Sequence, residues 1–203
     1  MILLVAVALA TTSFPPLLPT RKEVRPQIAA CGIVRSRIKF GYDPVLEEYD
    51  VRIGIGPVPT RNALDCLAGV SLSSVYDIRF EDRRSQRAYE PIYKARQTAL
   101  QRESDLRWLE AHHLRASLPH FDPAKESLPA FVQRLEGFCG ATPGSLLTLI
   151  GPHELTLHRN LPEQIMRSHE SIDCIEHAFG PSGLEEDGVS FGFVGNETDT
   201  PRP

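Results

Sequence analysis

The sequence predicts an α+β fold: two diverged β-β-α-β units packed with a long central helix and stabilised by disulfides. The first observation is a repeat. Cys31-Gly32 is followed by Asp65-Cys66, and Cys139-Gly140 by Asp173-Cys174, with the same 35-residue interval between the cysteines. All 4 cysteines belong to this pattern, and Pro44 and Pro152 fall at equal offsets inside it. Self-similarity at a fixed spacing is the mark of an internal duplication. The second observation is a set of short stretches in which apolar and polar residues alternate, the period of a half-buried strand. The third is a long amphipathic stretch between the two repeats.

Residues 11–30, rich in Thr, Pro and charge, read as a linker and N-terminal segment in which Pro26 to Ala30 makes a helical turn that Gly32 ends. The first unit spans residues 31–82. Val34, Ser36, Ile38 and Phe40 alternate with Arg35, Arg37 and Lys39, which predicts a strand. Gly41-Tyr42-Asp43-Pro44 is turn chemistry, and Tyr49, Val51, Ile53 and Ile55 alternate with Asp50, Arg52 and Gly54 in a second strand, giving a hairpin. Thr60 is the N-cap of a short helix carrying Ala63, Leu64, Cys66 and Leu67, and Val75 to Phe80 is the third strand.

The central helical segment spans residues 83–138. Its main helix is placed at Glu90 to Leu114, with Pro91 in the first turn and Ile92, Ala99, Leu106 and His113 recurring every seven residues. Glu103 and Arg107 stand at i, i+4 on its exposed side. Tyr89, Tyr93 and Trp108 read as packing residues of a helix that fastens two β-rich halves rather than as a ligand platform. Asp122-Pro123 opens another helix, which Pro129 restarts or kinks; Phe131, Leu135 and Phe138 share its face and Gly140 is its C′ residue.

The second unit spans residues 139–195. Leu147 and Leu149, then Leu155 and Leu157, make two strands around a Gly151-Pro152-His153 turn. Asn160 and Glu163 form a capping box for a helix with Ile165, Met166, Ile172 and Ile175, and Val189, Phe191 and Phe193 make the last strand before a tail at 196–203. The expected core is Ile38, Phe40, Val51, Ile53, Leu64, Ile78, Phe80, Leu106, Leu135, Leu149, Leu157, Ile172, Phe191 and Phe193. Units of this size are marginal alone, so the expectation is that both pack into one body with the central helix.

The apolar run from Ile2 to Ala10 ends in Ala8-Leu9-Ala10, the small-x-small form of a cleavage site, so residues 1–10, or up to about residue 20, read as a signal peptide. The run lacks a basic n-region, and an uncleaved N-terminal anchor is the alternative. It is too short for a stable transmembrane span. An even cysteine count without Cys-x-x-Cys fits an oxidising compartment rather than redox catalysis or structural zinc. At 203 residues, 41% hydrophobic and 24% charged, the chain has globular composition, and a net charge of −4 gives no reason to expect nucleic acid as a partner. Asn196-Glu197-Thr198 is a glycosylation sequon where the source glycosylates Asn.

No nucleophile-elbow, zinc-protease, phosphate-loop or dinucleotide-binding motif occurs. His112, His113 and His120 with Asp122 are the one group with metal-ligand chemistry, though two histidines at a helix C-terminus are favoured by the helix dipole without a metal. Arg79, Arg83, Arg84 and Arg87 are the most basic stretch and form a candidate ligand patch for a phosphate or carboxylate, although Glu81, Asp82 and Glu90 lie among them. The sequence calls for no cofactor. It points to a secreted or periplasmic, disulfide-bonded, non-catalytic binding protein whose partner is an envelope or extracellular protein. A small secreted hydrolase using His and carboxylate residues is the alternative.

If each repeat carries its own bridge, the disulfides are Cys31–Cys66 and Cys139–Cys174; the crossed pairing Cys31–Cys174 with Cys66–Cys139 would also respect the symmetry. Closing each loop is worth roughly 4 kcal/mol on the chain-entropy account. Non-reducing peptide mapping is expected to recover the within-unit pairs, and Cys31 linked to Cys139 or Cys174 would overturn the arrangement.

Overall fold

The computed structural model describes residues 20–45, 47–158 and 169–192. The apolar run, the Asn160–Glu163 cap, Ile165, Met166, Phe193 and the sequon lie outside them. The chain divides into two compact units, residues 1–97 and 98–203. In the first, α1 (Arg21–Ala30) precedes β1 (Ile38–Asp43), β2 (Glu48–Ile53), α2 (Arg61–Leu72) and β3 (Tyr76–Phe80). α3 (Arg83–Ala111) begins in the first unit and ends in the second. The second unit continues with α4 (Leu128–Phe138), β4 (Leu147–Gly151), β5 (Glu154–Leu157), α5 (His169–Phe179) and β6 (Ser190–Gly192).

Each sheet has three strands in sequence order, the first pair antiparallel and the second parallel across the crossover helix. The β-β-α-β pattern is therefore present twice, and each copy is preceded by a helix that the sequence reading did not place in full. α1 starts where the Glu23 carboxylate accepts from the Thr20 N–H and hydroxyl, 2.7 and 2.9 Å away. Both preceding helices end alike, with Cys31 and Cys139 as C-caps and Gly32 and Gly140 at φ 89° and 75°. Only glycine takes that left-handed conformation without strain. The bridges Cys31–Cys66 and Cys139–Cys174, with Cα–Cα separations of 5.6 and 5.5 Å, then tie each of these helices to the crossover helix of its unit.

Each unit has its own core. Val24, Ile28, Ile38, Val51, Ile53, Leu67 and Ile78 fill the first, and Leu109, Phe131, Leu135, Leu146, Leu155, Ile175 and Leu184 the second. Phe40, Leu106, Leu149, Leu157, Ile172 and Phe191 of the expected core are only half-buried, and Ala99 and His113 of the expected heptad stripe are exposed. α3 starts at Arg83 rather than Glu90 because Asp82 caps it, with Oδ1 accepting from the Ser85 N–H at 2.8 Å. Pro91 consequently lies inside the helix, and residues 94–104 are exposed. α4 starts at Leu128 rather than Asp122, because Pro129 fits only a first turn. Asp122 instead accepts from the Ala124 N–H within a turn.

The first strand also shifts. Val34 is exposed and residues 35–37 form a 3-10 turn, held where the Arg37 guanidinium donates to the Gly54 carbonyl at 2.9 and 2.6 Å. β1 runs on through Asp43, and β2 ends at Ile53, leaving Ile55 exposed.

The position three residues before the capping cysteine separates the two copies. In α1 it is Ile28, and in α4 it is Glu136; both are fully buried. The Glu136 carboxylate accepts from the N–H groups of Gly144, Leu146 and Leu147, the last two at 2.7 Å each, and so anchors the start of β4. Glu136→Leu strands two buried donors and one partly buried and is expected to cost about 3 kcal/mol, while Glu136→Gln, which keeps one acceptor oxygen, costs less. Urea unfolding followed at Trp108, which lies in this unit, measures both; midpoints equal to that of the unmutated chain would show that the clamp contributes nothing.

Candidate functional site: a tyrosine cleft in the first unit

Alternation along three paired strands gives the first sheet two unlike faces. One carries Ile38, Val51, Ile53, Ile78 and Phe80 into the core. The other carries charge. Lys39, Arg52 and Arg79 are register partners across the three strands, and beside them run Gly41, Asp50 and Asp77. Like charges directly opposite one another repel, and the neighbouring acidic residues offset this. Asp50 Oδ2 accepts from Arg52 Nε at 2.6 Å, and Lys39 pairs with Glu81 at 2.8 Å. Asp50 is itself buried, lying over Gly41, where a Cβ would come within 1.9 Å of its Oδ1. Only glycine fits there.

At the end of the core face where β2 and β3 begin, the residue type changes from aliphatic to tyrosine. Tyr42 pairs with Tyr49 and Tyr49 with Tyr76, making a row across the whole sheet, with ring centroids 5.0 and 5.8 Å apart. Phe40 packs edge-on to Tyr76 at 5.2 Å, and Tyr89 and Tyr93 of α3 stand 5.7 Å apart. All 5 tyrosines of the chain lie in this unit. Tyr42 and Tyr49 are 48% and 44% exposed, because the row extends past the helices that cover the rest of the face.

A cleft of about 430 Å³ opens here, lined by Glu48, Tyr49, Ser71, Ser74, Val75, Tyr76, Asp77, Arg79 and Tyr93. It wraps the start of β3, an edge strand. The Tyr76 and Phe80 N–H groups donate to Ser74 Oγ and Gln86 Oε1, at 3.3 and 2.8 Å. Side chains thus occupy part of the bonding that an added strand would need. Arg79 Nε donates to Asp77 at 2.5 Å and Nη2 reaches Glu48 at 3.4 Å; the Asp77 bond and charge hold the guanidinium above its usual pKa. Behind the cleft, Ser71 Oγ donates to the Tyr76 carbonyl at 3.0 Å. The Tyr89 hydroxyl is buried beside Ser71 with no partner in hydrogen-bond geometry, and burial pushes its pKa well above the ordinary phenol value.

Of the sequence-predicted patch, only Arg79 lines this cleft. Arg83, Arg84 and Arg87 are exposed on the first turns of α3. A second, larger groove of about 840 Å³ lies between α2 and α3, lined by Leu64, Ala88, Pro91, Ile92 and Ala95 together with the Arg96–Asp65 pair at 2.9 Å.

The histidines of the second unit are held separately. His112 is stacked on Trp108 at 3.8 Å, His113 is exposed at φ 58°, and His120 Nδ1 meets the Phe121 carbonyl at 2.8 Å. Asp122 pairs with Lys125 at 2.6 Å, which holds its carboxyl below the usual range. Among the described residues, no group of three His, Cys, Asp or Glu side chains has metal-binding geometry. The sequence reading missed a different pair. Asp105, 4% exposed, accepts from His177 Nδ1 and from Gln101 Nε2, each at 2.9 Å, and His177 stacks on Trp108 at 4.6 Å. No spacing rule links residues 72 apart. The tyrosine row had a weak signal, since Tyr42 and Tyr49 flank one hairpin turn, but its closure with Tyr76 and Tyr93 needs the β2–α2–β3 crossover.

The chain matches no family model, no curated protein and no solved structure among known proteins. Its two disulfides fit an extracellular or periplasmic setting, and among the described residues no helix is long and apolar enough to cross a membrane.

The cap that starts α3, and so positions Tyr89 and Tyr93, is pH-dependent. The Ser85 N–H bond holds the Asp82 carboxyl below its ordinary value of 3.8. A depressed folded-state pKa gives stabilisation that is complete above the unfolded value and disappears as pH falls through the folded one. Asp82→Ala is therefore expected to cost about 1 kcal/mol at neutral pH, with the difference from the unmutated chain closing on acidification below the ordinary value. Paired denaturation curves across acidic pH measure this, and a constant difference would exclude the charged cap.

Proposed function

We propose that this chain is a secreted or periplasmic, non-catalytic binding protein, and that its ligand is held at the tyrosine cleft of the first unit. The observation that carries the reading is the convergence of the tyrosines on one open edge. Tyr42 and Tyr49 present large, rigid, amphipathic surface at low entropic cost, which is the property that makes tyrosine frequent in binding surfaces. The cleft adds polar groups of both charges beside that surface, the composition of a small recognition site. The two bridges support stability outside the cytosol, where the partner would be an envelope or extracellular protein.

One observation favours the hydrolase alternative. The Asp105–His177 pair, with His177 partly exposed, orients an imidazole as a general base would be oriented.

Two measurements separate these readings. Applied to arrays of peptides and glycans, the chain is expected to show binding that the double variant Tyr42→Ala/Tyr49→Ala weakens at least tenfold; binding equal in both forms would place the site elsewhere. In a panel of hydrolase substrates, turnover abolished by His177→Ala in a folded protein would replace the binding reading with the enzyme.

A further inference from the structure

Resting on the cleft as the binding site, we infer that it receives a cationic side chain, lysine or arginine, presented by an extended segment of a partner polypeptide. The charges around the tyrosine row decide the sign. Glu48 comes from the start of β2 and Asp77 from β3, and both line the cleft. The basic group lining the cleft is Arg79, already engaged by Asp77 and Glu48. Within the lining, the two carboxylates of Glu48 and Asp77 outnumber the one guanidinium, and the longer Glu48 contact of 3.4 Å is the weaker of its two. An anionic ligand would meet this rim unfavourably. Lys94 follows Tyr93 on α3 and is exposed, but it does not line the cleft.

The rings supply the second half of the argument. A cation placed over a tyrosine face is attracted by the ring's negative quadrupole, and a guanidinium also stacks on it. Tyr49 and Glu48 both line the cleft, so its wall offers a cation an aromatic ring as well as a carboxylate. Neutral polar guests would use only the hydrogen bonds. The size of the platform selects a polypeptide over a small free cation. A row across three strands spans about 10 Å, and its outer member, Tyr42, is 48% exposed and lies beyond the cleft lining. One charged head fills the cleft while the adjoining residues of an extended chain cover Tyr42.

The test uses the full disulfide-bonded chain and end-blocked pentapeptides: Ala-Arg-Ala-Arg-Ala, its lysine counterpart, a glutamate counterpart and all-alanine, together with a chitin hexasaccharide and tetramethylammonium. Binding is followed by calorimetry and by amide chemical shifts. The arginine and lysine peptides are expected to bind, with shifts at Tyr42, Tyr49 and Tyr93. Tyr49→Ala, which leaves net charge unchanged, is expected to weaken them about tenfold, and Tyr49→Phe much less. Glu48→Gln should weaken them and flatten the salt dependence, whereas Glu103→Gln, on the exposed part of α3, should not. Equal losses from Glu48→Gln and Glu103→Gln would reduce the effect to general charge attraction and overturn the inference. Tetramethylammonium binding as tightly as the peptides would overturn the polypeptide part. Tyr49-dependent binding of the glutamate peptide or the hexasaccharide instead would overturn the cation while leaving the cleft as the binding site. If no ligand of the panel bound in a Tyr49-dependent way, both readings would fall. Tyr42→Ala, at a similarly exposed position, repeats the test should Tyr49→Ala disturb folding.

Discussion

The constraint on which each unit depends is a helix that must stop at a cysteine. Cys31 and Cys139 can reach their partners because Gly32 and Gly140 turn the chain sharply out of the helix. The bridge then fixes that helix against the crossover helix, so that both serve one face of a three-stranded sheet. A unit of this size buries too little surface to order itself comfortably by apolar contact alone, and the bridge reduces the freedom of the unfolded chain across 35 residues. Covering one face leaves the other to charged or polar residues. In the first unit this produces the row of Lys39, Arg52 and Arg79 beside Asp50 and Asp77.

From that common frame the copies diverge in what they place at equivalent points. Ile28 and Glu136 occupy equivalent buried positions, and the exchange of a branched aliphatic side chain for one ending in a carboxylate changes what the following loop can do. In the second unit, backbone N–H groups turn inward to Glu136; in the first, the corresponding stretch is a 3-10 turn held from outside by Arg37 and Gly54. The tyrosines diverge further. The first unit holds all of them, concentrated where its sheet emerges from beneath its helices, while the second pairs buried Asp105 with a half-buried His177 that stacks on Trp108. The same β-β-α-β arrangement thus occurs twice, and side chains at its margins make the two units chemically different.

Much of the frame was legible. The spacing of Cys-Gly and Asp-Cys, the alternation in Tyr49–Ile53, and Thr60 as a cap, accepting from the Ala63 N–H at 3.3 Å, all act over short stretches of chain. Where the reading failed, a longer contact had overridden local pattern. Pro91 resembles a helix start, but the Asp82 cap one turn and more upstream begins the helix earlier, and a long helix tolerates the one lost hydrogen bond. Val34 and Ile55 continue their strands by periodicity, yet Arg37 closing on Gly54 ends the pairing before either.

The sequence by itself determined the repeated unit, its half-buried strands and the cysteines available to bridge it, because those follow from periodicity and from spacing along one chain. Only the tertiary structure decided which tyrosines share a cleft, that Asp105 meets His177, and that Glu136 is a buried anchor rather than a surface carboxylate. Strand register and a parallel crossover bring residues such as Tyr42, Tyr49, Tyr76 and Tyr93 together from separate elements. Side-chain chemistry acts through distances in space, and those distances are set only when the sheet and its helices close around one core.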